Sequence, residues 1–202
     1  MSRLVLATRN HHKVAELQRI LDATGVAAEL VGSDEIPDLP DVAETGLTFA
    51  ENATLKAVAV AAETGLVAIA DDSGLCVDVL GGMPGIFSAR WCGRHGDDLA
   101  NLHLVLAQLR DVPAASRTAH FACAAALAGP SGVVDVVEGR LSGRLIEQPR
   151  GTNGFGYDPI FVPDGETRTT AQMSPDEKDA ISHRGRAFRA LAPAIEQMIS
   201  SE

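Results

Sequence analysis

Two carboxylates stand side by side at Asp71 and Asp72, just after the apolar run 66–70 and just before Ser73 and Gly74. Burying a charge without a partner is expensive, so adjacent carboxylates beside a buried strand are not packing residues. Hard oxygen ligands at a strand end suit Mg2+, which binds through one or two carboxylates together with phosphates and waters. A plainer reading is an acidic turn in which Asp72 caps its own backbone, and the tetrapeptide alone favours that reading. Glu44, in an acidic loop earlier in the chain, is a candidate second carboxylate.

Three further groupings could bind rather than react. Thr8, Arg9, Asn10, His11, His12 and Lys13 form a polar loop between a short apolar run and a helical pattern. Amides at a helix N-terminus are unpaired donors and the helix dipole favours an anion there. Thr8, Asn10 and Lys13 add donors and a charge that suit a triphosphate. Equally, Thr8 or Asn10 only caps the helix and Lys13 is solvated, since the loop lacks the glycines of a Walker sequence. In the segment 151–158, glycines flank Phe155 and Tyr157, with Asp158 following. Such a loop lets the backbone approach a flat ligand while a ring stacks on it, a contact that contributes ~1–3 kcal/mol in nucleic-acid binders. The alternative is a tight loop with Phe155 in the core. Lys178 with His183 and Arg184 flanks a junction between two helical patterns. Ser182 is a cap there that leaves the amides of His183 and Arg184 to bind an oxygen; a solvated basic patch is the other reading.

The elements that must position these groups follow from the hydrophobic pattern. Residues 4–7 read as a strand, and Val14, Leu17, Ile20 and Leu21 recur at helical spacing until Gly25. A second strand covers 27–31, and the acidic, proline-bearing stretch 33–46 is a loop. Thr48 with Glu51 is a capping-box pattern opening a helix to Gly65. The strand 66–70 ends in the acidic pair, after which Leu75, Val77 and Val79 alternate. A helix from about Asp97 carries Leu99, Leu102, Val105, Leu106 and Leu109 on one side. Segments 118–128 and 133–146 read as strands joined by a hairpin at Gly129-Pro130-Ser131-Gly132. A short strand at 160–162 follows. Ser174 and Glu177 form a second capping box with Pro175 at the first helical position. The last helix buries Phe188, Leu191, Ile195 and Met198, with a kink expected at Pro193. Helices interleaved with strands around a central hairpin predict an α/β sheet of mixed direction. Residues 1–202 contain no repeat and no linker, and so read as one domain.

Bulk properties narrow the function. With 202 residues, 46% of them hydrophobic, the chain has enough apolar material for a substantial core. A net charge of −10 argues against general affinity for nucleic acid but leaves room for a small phosphorylated ligand. Cys76, Cys92 and Cys123 are scattered and odd in number, which fits reduced thiols in the cytoplasm. No stretch approaches the ~20 apolar residues of a membrane helix. The histidines lack the spacing of a zinc site.

Taken together, the blocks resemble the inosine triphosphate pyrophosphatase family, the dITP/XTP pyrophosphatases of bacteria and their relatives. The likeness rests on Thr8-x-Asn10-x-x-Lys13, Glu44-Thr45-Gly46, Phe49-x-Glu51-Asn52-Ala53-x-x-Lys56-Ala57 and Ala70-Asp71-Asp72-Ser73-Gly74-Leu75. It continues through Pro84-Gly85-Ile86-x-Ser88-Ala89-Arg90, Gly154-Phe155-Gly156-Tyr157-Asp158-Pro159 and Ser182-His183-Arg184-Gly185. Several spaced blocks in one order outweigh the plainer reading of each. The resemblance implies an α/β fold with a mixed twisted sheet and flanking helices, two lobes around a central active-site cleft, and a homodimer. It implies Mg2+-dependent attack of water on the α-phosphate of ITP, dITP or XTP, giving a monophosphate and pyrophosphate and keeping these nucleotides out of DNA and RNA. By resemblance Asp72 is the catalytic carboxylate and a metal ligand, with Glu44 as a further acidic ligand. Residues Thr8, Arg9, Asn10, His11, His12 and Lys13 hold phosphates, and Ser73 touches substrate. Phe155, Gly156, Tyr157, Asp158, Lys178, His183 and Arg184 form the base pocket. Lys56 faces the phosphates, while Glu51 and Asp71 are additional candidates. Arg9, His12 and Asn153 stand where the family often has glycine.

Overall fold

A computed structural model describes residues 2–37, 39, 41–132 and 134–200. The loop proline Pro40 and Val133, the expected start of the second hairpin strand, lie outside the described residues. In chain order the elements are β1 (Ser2–Leu6), α1 (His11–Thr24), β2 (Ala28–Gly32), α2 (Phe49–Thr64), β3 (Ala68–Val77) and α3 (Asp98–Gln108). They continue with β4 (Thr118–Ala128), β5 (Val134–Leu145), β6 (Phe161–Pro163), α4 (Pro175–Ile181) and α5 (His183–Ser200). The strands hydrogen-bond in the order β2-β1-β3-β4-β5-β6. β1 is parallel to both β2 and β3, with Leu4 opposite Leu30 and Leu6 opposite Ile69, whereas β6 is antiparallel to β5. The sheet is therefore mixed, as the interleaved pattern predicts.

Two compact units make up the chain: Met1–Asp72, Cys123–Gly139 and Arg184–Glu202 form one, Ser73–Ala122 and Arg140–His183 the other. In the first, strand alternation sorts side chains onto two faces. Leu4, Leu6, Ile69, Cys123, Ala125 and Leu127 pack with Leu17, Ile20 and Leu21 of α1 and Phe188, Leu191 and Ile195 of α5. Their neighbours in sequence, Val5, Ala68, Ala70, Ala124 and Ala126, pack with Ala53, Ala57, Val60 and Ala61 of α2. So α1 and α5 cover one face and α2 the other, with small residues letting α2 lie close. The second unit has its own core, in which Leu102 and Val105 of α3 and Leu109 just after it meet Phe121, Tyr157 and Phe161.

Local expectations are largely met at the helix ends. Gly25 and Gly65 close α1 and α2 in the left-handed conformation, at φ 83° and 67°. Ser174 and Glu177 form a full capping box. At Thr48 the box is offset: Thr48 Oγ1 accepts from Glu51 N, but the Glu51 carboxylate accepts from Leu47 N at 2.6 Å. The hairpin turn closes with Gly132 N donating to Gly129 O at 2.9 Å.

Three expectations are corrected. Leu99 is 66% exposed rather than on the buried side of α3, because it sits in the first turn, clear of the Leu102, Val105 and Leu109 stripe. β6 begins at Phe161, since residues Asp158–Ile160 form a 3-10 turn. Most important for function, β3 does not stop before the acidic pair; it runs unbroken through Asp71, Asp72, Ser73 and Gly74 to Val77. Gly74 is required there, because a Cβ would collide with Gly85 O and the Ser88 side chain. Helix α5 continues through Pro193.

Candidate active site

Because β3 continues, the two aspartates follow its alternation and point to opposite faces. Asp71 has the phase of Ile69 and meets α1 and α5. Its Oδ2 accepts from Lys13 Nζ at 3.0 Å and from Arg184 Nε at 3.2 Å. Arg184 Nη1 in turn donates to Glu16 Oε2 at 2.6 Å, and Arg184, Glu16 and Asp71 are all buried. Burial alone pushes the Asp71 carboxyl up, but Lys13, Arg184 and Lys56 outweigh it and hold it well below the usual carboxylate range. Asp71 is therefore a fixed anion that anchors charged side chains.

Asp72 has the phase of Ala70 and meets α2. Asn52 Nδ2 donates to Asp72 Oδ2 at 3.1 Å, and Lys56 Nζ lies 3.8 Å from Asp72 Oδ1. The same ammonium donates to Glu44 Oε1 at 2.9 Å and to the Asp71 carbonyl at 2.8 Å. Burial raises the Asp72 pKa and Glu44 adds to it, against the opposing pull of Lys56 and Asn52. Lys56 is itself held above its ordinary value: burial works against its charge, but Asp72, Asp71 and Glu44 overcome it. Adjacent residues thus have opposite electrostatic fates. One is a structural anion, the other a carboxylate biased toward taking a proton.

The donor set fits Mg2+. Among the described residues no three His, Cys, Asp or Glu side chains converge as a metal-holding group. Asp72 and Glu44, both within reach of one ammonium, could supply the one or two carboxylates that Mg2+ uses when phosphates and waters complete its shell.

The expected polar loop is in part helix: α1 begins at His11, so only Thr8, Arg9 and Asn10 precede it, and the segment splits by role. Asn10 is the N-cap, its side chain accepting from His12 N at 3.0 Å, and Thr8 Oγ1 accepts from Asn10 N at 3.2 Å. Arg9, one of the departures from glycine, turns to the acidic loop, donating to Leu39 O at 3.1 Å and pairing with Asp41. His11 lies 3.4 Å from Asp34, and His12 is exposed. Lys13 is not solvated as in the plainer reading; it reaches the acidic strand.

In the second unit the expected base-pocket residues form a cluster around Asp158. Its Oδ2 accepts from Phe155 N at 2.9 Å and Lys178 Nζ at 2.6 Å, and its Oδ1 accepts from Thr170 Oγ1 at 2.8 Å. Lys178 is thereby held over the half-buried Phe155 ring, 5.1 Å from its centroid. Gly154 and Gly156 adopt φ 73° and 61°, and a Cβ on Gly154 would strike the Asp158 carboxylate. Gly156 N donates to Asp98 Oδ2 at 2.9 Å. Tyr157 is buried and its hydroxyl donates to Ser88 O at 2.9 Å, so it braces the loop from beneath. Asn153, the third departure from glycine, donates to Met173 O at 2.8 Å. His183 stacks on Phe121, ring centroids 4.8 Å apart. Ser73 is half-buried on β3. The Arg184 side chain belongs to the first unit and its ion cluster.

Sequence reasoning missed Asn52, Glu16, Thr170 and Asp98 as site-shaping residues. Asn52 had a signal: it lies one turn before Lys56 and one after Thr48, on the face that meets Asp72. Glu16 is an acid on the apolar face of α1, where only a buried cation explains it. Thr170 and Asp98 carried none.

The mixed sheet thus carries a carboxylate pair split across its two faces, with Asp72 sharing the Lys56 ammonium with Glu44. The chain belongs to the Ham1 family, whose sequence profile matches residues 4–194. It is 65% identical to a dITP/XTP pyrophosphatase of Streptomyces avermitilis over 98% of this chain and 100% of that one. A nucleoside-triphosphatase, dITP/XTP pyrophosphatase, of Mycobacterium abscessus has a solved structure that is 53% identical, with TM-score 0.76, covering 96% of this chain and 99% of that one. A HAM1 protein from Coxiella burnetii superposes with TM-score 0.86 at 40% identity, over 98% of this chain and 100% of that one.

Proposed function

We propose that residues 1–202 act as one Mg2+-dependent pyrophosphatase domain that hydrolyses ITP, dITP and XTP to the nucleoside monophosphate and pyrophosphate. The observation that carries this reading is the convergence of Asp72 and Glu44 on the single ammonium of Lys56. The high identity to proteins named dITP/XTP pyrophosphatase supports the substrate class. A homodimer working in the cytoplasm is part of the same proposal.

Asp72 orients the attacking water and accepts its proton as the oxygen–phosphorus bond forms at the α-phosphate and the bond to the leaving pyrophosphate breaks. Asp72 and Glu44 would hold Mg2+, which would offset triphosphate charge and stabilise charge developing at phosphorus. Lys56 adds a fixed positive charge beside the reacting group. Thr8, Arg9, Asn10, His11, His12 and Lys13 take the phosphates, with Lys13 kept in place by Asp71. Phe155 stacks on the base, and Lys178 and His183 supply donors to a 6-oxygen. Adenine presents an amino group at that position, so donor meets donor and a buried hydrogen bond is lost.

Pyrophosphate release from ITP, XTP, dITP, GTP and ATP, each with Mg2+ and with EDTA, tests the proposal. Metal-dependent turnover of the first three, with GTP and ATP poor, is the expected pattern. Turnover confined to modified pyrimidine triphosphates, or binding without turnover, would replace it. Phe155→Ala is expected to raise KM on the order of 5–150-fold, equivalent to the ~1–3 kcal/mol of a base–aromatic stack, with kcat little changed. A defect in kcat alone would remove the stacking role.

A further inference from the structure

Asn52 is fully buried, and both ends of its side-chain amide are engaged across different segments. Its Oδ1 accepts from Gly46 N at 2.8 Å, which fixes the amide orientation and leaves Nδ2 as the end that donates to Asp72 Oδ2 at 3.1 Å. With Oδ2 engaged, Oδ1 is the Asp72 oxygen left toward Lys56, at 3.8 Å. The Gly46 contact is equally specific. A Cβ on Gly46 would lie 2.6 Å from Glu51 Cβ and 2.8 Å from Asn52 Oδ1, so the chain passes too close for any other residue. Two residues before Gly46 stands Glu44, tied to Lys56 one turn further along α2 at 2.9 Å.

From this we infer that Asn52 is a positioning residue of the reaction: one buried amide orients the Asp72 carboxylate on β3 and docks the loop that carries Glu44, holding the two carboxylates in register. The inference rests on the catalytic role proposed for Asp72. Helix α2 itself does not need Asn52, because alanine and leucine are better helix formers at that position. The side chain therefore serves the two segments it bridges.

Three variants and one double variant test it. Asn52→Leu keeps the branched side-chain shape and removes both bonds; Gly46→Ala leaves Asn52 in place and pushes the loop away from it. Each is expected to lower kcat on the order of 10–100-fold, as for supporting groups around a reactive centre, with KM for ITP within about threefold. Amide hydrogen exchange is expected to accelerate at Gly46 in Asn52→Leu, reporting the released loop without any turnover. In single turnover at excess enzyme, adding Asn52→Leu to Asp72→Asn is expected to cost clearly less than Asn52→Leu costs on its own, because the part of its effect that passes through Asp72 is already lost. Wild-type kcat in both Asn52→Leu and Gly46→Ala overturns the inference, as does a full, additive loss in the Asp72→Asn background. Wild-type turnover of Asp72→Asn is a different result: it removes Asp72 from the chemistry and the proposed reaction with it.

Discussion

Asp72→Asn is expected to lower kcat on the order of 10²–10⁴-fold while leaving the fold at least as stable as the wild type. The two halves have one cause. A carboxyl whose pKa is higher in the fold than in the unfolded chain binds more protons when folded, so its ionisation near neutral pH weakens the fold. Asp72 is such a group, raised by burial and by Glu44. A neutral amide of the same shape removes that charge. Its oxygen still accepts from Asn52, and Lys56 keeps Glu44 and the Asp71 carbonyl. What the variant lacks is a group that takes a proton from water and an anionic ligand. Pyrophosphate release and a thermal melt on the same preparation check both halves. Near-wild-type turnover with an unchanged melt takes Asp72 out of the chemistry; a large fall in Tm shows that its role is structural.

That asymmetry between neighbours was half legible in the sequence. The strand before the acidic pair, the helices on either side and the blocks shared with the family could all be read from periodicity and spacing. The pair itself reads in the sequence as a strand end, because two charges look incompatible with a central strand. They are compatible because each face supplies partners from far away in sequence: Lys13 and Arg184 for Asp71, Asn52 and Lys56 for Asp72. Had the period of two been carried through residues 68–77, opposite roles for the two aspartates would have followed. Arg184 and Tyr157 show the complementary limit. Both lie in blocks from which a base pocket is expected by resemblance, and in the fold one side chain joins a buried ion cluster while the other donates to a backbone carbonyl. Residue type and position in a motif do not distinguish a group that touches substrate from one that holds such a group still.

Arg184→Met is expected to be the most destabilising of these changes, at about 3–5 kcal/mol, because it removes one partner of a buried ion cluster and leaves the others charged. Methionine fills part of the volume but offers no hydrogen bond. Glu16 would lose the 2.6 Å bond to its Oε2, and its Oε1 already has no hydrogen-bond partner among the described residues. Asp71 would lose the bond from Arg184 Nε and keep the one from Lys13 Nζ. For a chain of this size ~1 kcal/mol moves Tm by about 2–4 °C, so a fall of roughly 6–20 °C is expected. Acid sensitivity should change in the same direction. The Asp71 carboxyl lies well below its unfolded value, so its contribution is complete above about pH 4 and is lost only as pH falls through the lower folded value. Without Arg184 the folded value rises, and acid unfolding should begin at higher pH. Adding Glu16→Gln to Arg184→Met removes the stranded charge and should recover part of the lost stability, since neutral replacement of a whole buried ion pair costs far less than breaking it. A single variant that melts within about 2 °C of wild type, or a double variant no more stable than the single, would show that water or rearrangement already satisfies the cluster.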